Sequence, residues 1–230
     1  MTSPGYKAIR IGLGLTLLSL LGLAAVYFIA IEHTPTEIRQ GLAQKIFYLH
    51  APAAWAALLS FSLVGIVSVL YLWLQDPRLD LFAASAVEVG LVFSMVMLTT
   101  GPIWGKPVWG TWWTWDPRLT LTLLLFLIFV GYLALRAALS DASERARFSA
   151  VVGIMGLLLV PFVHLSVYLF RTMHPTPIVL KPSRPSLPPE MLRTLLLSFG
   201  VATLLCLGFL LVRYGLALRA HAREEAQNAA

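Results

Sequence analysis

The chain has 230 residues and a single cysteine, and that scarcity removes several chemistries at once. Cys206 lies inside an apolar run, so disulfides and CxxC redox chemistry are excluded. No CxxCH occurs, so covalent attachment of a c-type haem is excluded as well. No catalytic triad, metal-ligand cluster or phosphate loop can be read in the sequence, and the chain is not expected to be an enzyme. Charge is also scarce. Asp, Glu, Lys and Arg make up 12% of the residues, against about a quarter in soluble domains. The formal net charge is +6, but the basic residues are spread over loops and termini. They form no patch, which argues against a nucleic-acid partner.

What the chain has instead is apolar length. Hydrophobic residues make up 58% of it, gathered into six runs at 11–31, 52–74, 82–103, 119–136, 149–170 and 192–213. Each reaches the roughly 20 residues needed to cross a bilayer. Each must be helical, because lone helices and closed barrels alone satisfy their backbone in hydrocarbon. Barrel strands would be shorter and would alternate in polarity. The first run follows Lys7 and Arg10 and invites a signal-peptide reading. It exceeds the ~7–15 residues of a signal core and no small-residue cleavage site follows, so it is read as a retained helix. The expected fold is an all-α membrane protein, one integral domain over 1–230.

Six spans put both termini on one side. Lysine and arginine favour the cytoplasm, but here termini and even loops hold nine basic residues and odd loops eight. The basic pair before the first span tips the balance slightly towards cytoplasmic termini. Independent of orientation, loops 32–51, 104–118 and 171–191 must share one face. These are the long, unusual loops, whereas "LQDPRLD" is a short turn and "RAALSDASERARF" reads as a solvated charge run.

Five of the seven tryptophans fall within twelve positions of the middle odd loop, "WGKPVWGTWWTWDPRLT" (104–120). An aromatic belt anchors a protein at the membrane interface, usually with one or two such residues per helix end. This density suggests a platform. Among the five histidines, His221 reads as a solvated tail residue and His33 as an interfacial one at a helix end. His164, mid-span, is either functional or a neutral imidazole bonded to a neighbouring helix. His50, in "IFYLHAPAAW", and His174, in "YLFRTMHPTP", stand at one bilayer level on the face of the tryptophan loop. Singly, each would be an interfacial imidazole. Together they flank an aromatic platform, an arrangement that suits a planar iron macrocycle. Such a ligand needs axial imidazoles, aromatic cover and cations near its acidic edges, for which Lys106, Arg118 and Arg171 are close in sequence.

"WGTWWTWDPRLT" (109–120) closely resembles the tryptophan-rich WWD signature of haem-handling membrane proteins. Length and span number resemble one branch of these, the haem exporter protein C (CcmC) family of the cytochrome c maturation system. "IFYLHAPAAW", "GPIWGKPVWG" and "VPFVHLSVYLFRTMHPTP" resemble that family's flanking segments, so the likeness covers roughly residues 40 to 213. The resemblance implies a protein of the bacterial inner membrane with cytoplasmic termini. It implies haem b held transiently on the periplasmic face, with His50 and His174 as axial ligands. Trp109, Trp112, Trp113, Trp115 and Asp116 would lie along the ring, with Arg118 beside it. The implied partners are the haem chaperone CcmE, the ABC transporter pair CcmA and CcmB, and the small CcmD.

Two features depart from the family pattern or lie outside it. Phe170-Arg171 makes the second-histidine segment less aromatic than the family's. Glu88 is a carboxylate inside a span, read as a partner for a neighbouring helix, with His164 as the candidate. Competing readings remain open. A WWD-type cytochrome c synthase would carry more spans, further intramembrane histidines and a large external domain. A permease subunit of a haem or solute exporter would need a polar pathway, for which Glu88 and His164 are the ionisable candidates within the spans. A dihaem electron carrier would need paired histidines inside facing helices.

Overall fold

The computed structural model describes residues 4–179, 181 and 183–229, and among these the regular structure is helical throughout. Six long helices follow in order: α1 (Pro4–Phe28), α2 (Phe47–Leu74), α3 (Pro77–Trp109), α4 (Pro117–Ala138), α5 (Ala142–Leu169) and α6 (Pro189–Asn228). All six are long and apolar enough to cross a membrane. A π-helical turn (Ile29–His33) extends α1, and a 3-10 segment (Gly41–Ile46) leads into α2.

The helix starts are encoded locally. Asp76, Asp116 and Asp141 each cap a helix by accepting backbone N–H groups in its first turn, satisfying donors that have no partner within the helix. Pro77 and Pro117 follow the first two caps, where a missing N–H costs nothing. The end of α3 differs from the expected span. The helix runs past residue 103, through Pro102 and Pro107, to Trp109. A proline inside a spanning helix loses one backbone bond, which a packed surrounding tolerates. Gly110, at φ 77°, ends the helix by entering the left-handed region glycine adopts without strain. Trp104 and Trp109 are therefore helical, and the irregular part of the tryptophan segment begins at Gly110.

Interior and exterior follow membrane rules. Leucines such as Leu17, Leu21 and Leu158 face outward, while alanine, serine and glycine line the helix contacts. Without a hydrophobic drive between helices in lipid, close approach and dispersion hold the bundle together. Along α1 and α6 the backbones nearly touch: a Cβ on Gly12 would lie 2.7 Å from the Gly208 carbonyl oxygen. At the centre, Phe61 of α2 and Phe129 of α4 stack with ring centroids 4.0 Å apart. Two ion pairs cross between helices. Arg136 of α4 holds Asp80 of α3 through two hydrogen bonds, the second 2.8 Å long. Arg213 of α6 likewise holds Glu88 of α3, with Nη2 2.6 Å from Oε1. The expected Glu88–His164 pairing is thus overturned. Arg213 lies on α6 at the level of Glu88, whereas His164 neighbours Tyr168 on α5.

Loops one, three and five gather at one end of the bundle. Thr34 bonds Thr194 of α6 at 2.8 Å, and buried Lys45 donates to the carbonyls of Thr34 and Pro35. Trp104 donates its ring N–H to Gln40 at 2.9 Å. An apolar cluster of Phe47, Tyr48, Trp104, Ile178 and Leu195 underlies all three loops.

Candidate functional site

His50 sits at the start of α2, half-buried against the last turns of α3. Its Nδ1 is 3.1 Å from the Thr100 hydroxyl, and its ring meets Trp104 edge-on, with centroids 5.7 Å apart. His174 belongs to the segment between α5 and α6. Its backbone N–H donates to the Thr172 hydroxyl, and its Nδ1–H donates to the carbonyl of Pro175 at 3.1 Å. A carbonyl only accepts, so Nδ1 carries the proton and Nε2 keeps its lone pair. Burial, and next the Arg118 guanidinium, push the His174 imidazole down to about 4. The ring is neutral at physiological pH, the form that ligates a metal.

The tryptophans divide by setting. Trp109, at the end of α3, meets the His174 ring edge-on at 6.3 Å. Trp113 is half-buried, perpendicular to Trp115 with centroids 5.8 Å apart. Trp112 and Trp115 stand outward, 58% and 75% exposed. Among the described residues, neither histidine is in ring contact with Trp112, Trp113 or Trp115. The turn that carries them is closed by Lys106, which donates to the Gly110 carbonyl, and by Thr111, which donates to that of Trp113.

Asp116 Oδ1 accepts from the backbone N–H groups of Arg118 (2.9 Å) and Leu119 (3.1 Å). The link between Asp116 and Arg118 anticipated from their spacing therefore runs through the backbone. Among the described residues, the Arg118 guanidinium makes no hydrogen bond. It is half-buried, within electrostatic reach of His50, His164 and His174. Within five residues of it in sequence, Trp113 Nε1, Thr114 Oγ1, Asp116 Oδ2 and Thr120 Oγ1 are buried without hydrogen-bond partners. Four such atoms within eight residues call for an explanation, because most buried polar groups are hydrogen-bonded.

The end of the bundle thus brings together His50, Trp104, Trp109, Arg118 and His174. His33, which packs edge-on against Phe28, and His221, which lies 3.3 Å from Glu225 in the tail, take no part. No cluster of three metal-ligating side chains occurs among the described residues. Two lone imidazoles suit a metal that brings its own equatorial ligands. Sequence reasoning missed Thr100 and Gly101 and left Trp104 out of the site. Their spacing puts them on one face of a helix, but only the continuation of α3 past residue 103 makes that spacing meaningful.

The sequence model of the family described as heme exporter protein C matches residues 7–229. Heme exporter protein C of Haemophilus influenzae is 37% identical over 202 residues, which is 87% of this chain and 81% of that protein. The Bradyrhizobium diazoefficiens protein of the same name is 36% identical over 171 residues, 74% of this chain and 65% of the relative. That of Escherichia coli K12 is 36% identical over 140 residues, 61% and 57% respectively. With six membrane-crossing helices and a family match along nearly its whole length, the chain belongs to the heme exporter protein C (CcmC) family.

Proposed function

We propose that this chain binds haem at the looped end of its bundle and presents it for c-type cytochrome assembly. His50 and His174 are the axial ligands. Trp109, Trp112, Trp113, Trp115 and Asp116 form the platform, and Arg118 faces the acidic edge of the ring. The observation that carries the reading is convergence. Three elements distant in sequence bring two histidines and an unengaged guanidinium to one end, beside orphaned polar atoms. These residues fit haem. Neutral imidazoles ligate iron, exposed indoles cover a flat apolar ring, and a free guanidinium suits a carboxylate. Haem is cargo here, and the chain itself breaks or makes no bond.

The same reading puts the site on the periplasmic face of the bacterial inner membrane, with cytoplasmic termini. The cargo is haem b, held transiently. The receiver is the chaperone CcmE, and CcmA, CcmB and CcmD complete the apparatus. Against a permease reading stands the ion pair of Glu88 with Arg213, which leaves His164 as the unpaired candidate of the two.

The deciding experiment is a visible spectrum of the purified protein, with and without reductant. The double variant His50→Ala/His174→Ala should lose co-purified haem, while His33→Ala and His221→Ala keep it. A bis-imidazole spectrum surviving in the double variant would refute the ligand assignment. Handover is tested by Trp112→Leu/Trp113→Leu, which should reach normal membrane levels yet leave CcmE with little covalent haem. Normal loading of CcmE would return those tryptophans to an interfacial belt. For orientation, cysteines placed at Thr111 and Thr176 in a Cys206-free background should label from the periplasm. One at Ser143 should not.

A further inference from the structure

We propose that Thr100 is a positioning residue that sets the tautomer of His50, so that Nε2 alone faces the ligand. The inference rests on the reading of His50 as an iron ligand. A hydroxyl has one hydrogen to give. That of Thr100 points at the carbonyl of Val96, 2.7 Å away, the usual back-bond of a helical threonine. A second carbonyl, that of Met97, lies 3.4 Å off; it can compete for the same hydrogen, and as an acceptor beside the His50 ring it too favours a proton on the imidazole. What the Thr100 oxygen offers His50 Nδ1, at 3.1 Å, is therefore a lone pair. Nδ1 must carry the proton, and the lone pair of the neutral ring falls on Nε2.

The neighbours of Thr100 on the same helix face complete the mount. A Cβ on Gly101 would lie 3.2 Å from His50 Cε1 and 3.7 Å from Nδ1, so glycine leaves the space the ring occupies. Trp104, one turn on, closes another side of the ring, and Trp104 is itself tied to Gln40. One turn of α3 thus grips the imidazole by its Nδ1 side and leaves the opposite nitrogen free. Partners behind a ligating histidine typically change metal affinity about 10–100-fold when removed. His174 has no such mount. Its Nδ1–H is bound by its own backbone neighbour, Pro175.

The test compares Thr100→Val, which keeps shape and loses the hydroxyl, with Thr100→Ser, which keeps the hydroxyl. Haem-free full-length protein labelled with 15N-histidine is recorded by NMR, and the His50 signals are identified by their loss in His50→Gln. Wild type and Thr100→Ser should show Nδ1 protonated and Nε2 bare, whereas Thr100→Val should shift towards the other tautomer. Haem titration of the same preparations should show about 10–100-fold weaker retention in Thr100→Val, with recovery in Thr100→Ser. Gly101→Ala, which crowds the ring without touching the hydroxyl, should weaken retention while Nδ1 stays protonated. An unchanged tautomer in Thr100→Val would overturn the proposal. A changed tautomer with unaltered haem retention would instead overturn His50 as the ligand, leaving the hydrogen bond a structural one.

Discussion

The chain contains the tetrapeptide Asp-Pro-Arg-Leu twice, at 76–79 and at 116–119, and the two copies start α3 and α4 at opposite ends of the bundle. Their backbones behave alike: each aspartate caps its helix by accepting the arginine N–H at 2.9 Å. Their side chains do not. Arg78 folds back onto Asp76, its Nη2 2.8 Å from Oδ2, and stays 71% exposed. Arg118 leaves Asp116 Oδ2 without a partner and keeps its own guanidinium unbonded among the described residues. The fifth residue extends the contrast. Asp80 is gripped by Arg136, while the Thr120 hydroxyl is buried and unpaired. In one copy both carboxylates and the guanidinium are engaged; in the other, Asp116 Oδ2, the Thr120 hydroxyl and the guanidinium have no partner among the described residues. Most buried polar groups in folded chains are hydrogen-bonded, so a group of unpaired ones calls for an explanation. On the proposed reading, the difference separates a turn that only starts a helix from one that also meets the ligand.

Breaking the occupied copy should have the largest effect, and on stability alone. Asp80→Ala strands the half-buried Arg136 guanidinium; breaking a fully buried pair this way costs about 3–5 kcal/mol, the upper bound here. Membrane level and thermal inactivation should fall, while haem per surviving molecule stays constant. A selective loss of haem would erase the distinction between the two ends.

The next effect concerns Arg118. Removing a charge-assisted hydrogen bond worth about 1.5–3 kcal/mol should reduce haem retention about ten- to hundredfold. Arg118→Ala should show this by haem titration, and Arg118→Lys should recover only part, lacking the planar fork. Equal retention in Arg118→Ala and wild type would mean that the free guanidinium serves the fold.

The caps sharpen the comparison from the other side. Asp76→Ala and Asp116→Ala should each destabilise by about 0.5–2 kcal/mol, because each removes the same kind of cap. Melting should shift alike for both, and haem retention should fall only for Asp116→Ala. If both variants lost haem, or neither did, the copies would be equivalent. Smallest of all is Arg78→Ala. It breaks a solvated pair, which water and salt screen, and should alter neither melting nor haem content. A clear loss of either would show that the exposed turn does more than start a helix.

Much of the architecture could be read without coordinates, since lipid imposes one rule on every apolar run: the backbone must satisfy itself. Hence Leu17, Leu158 and their neighbours announce helices. Because loops alternate sides, His50, the tryptophan segment and His174 were bound to share a face once six spans were counted. The tryptophan signature itself carried the family. All of this is local pattern plus connectivity. Pairing is different, because it depends on which helices lie side by side and how deeply each group is buried. Glu88 finds Arg213, 125 positions away, and not His164. Two identical tetrapeptides treat their arginines in opposite ways. Trp104 comes to join Thr100 against His50 because α3 continues past residue 103 to Trp109. The spans, the shared face and the family were the sequence's own. The partner of each buried polar group, and so the shape of the site, was settled by helix packing, because a hydrogen bond is decided by distances that no local stretch of chain specifies.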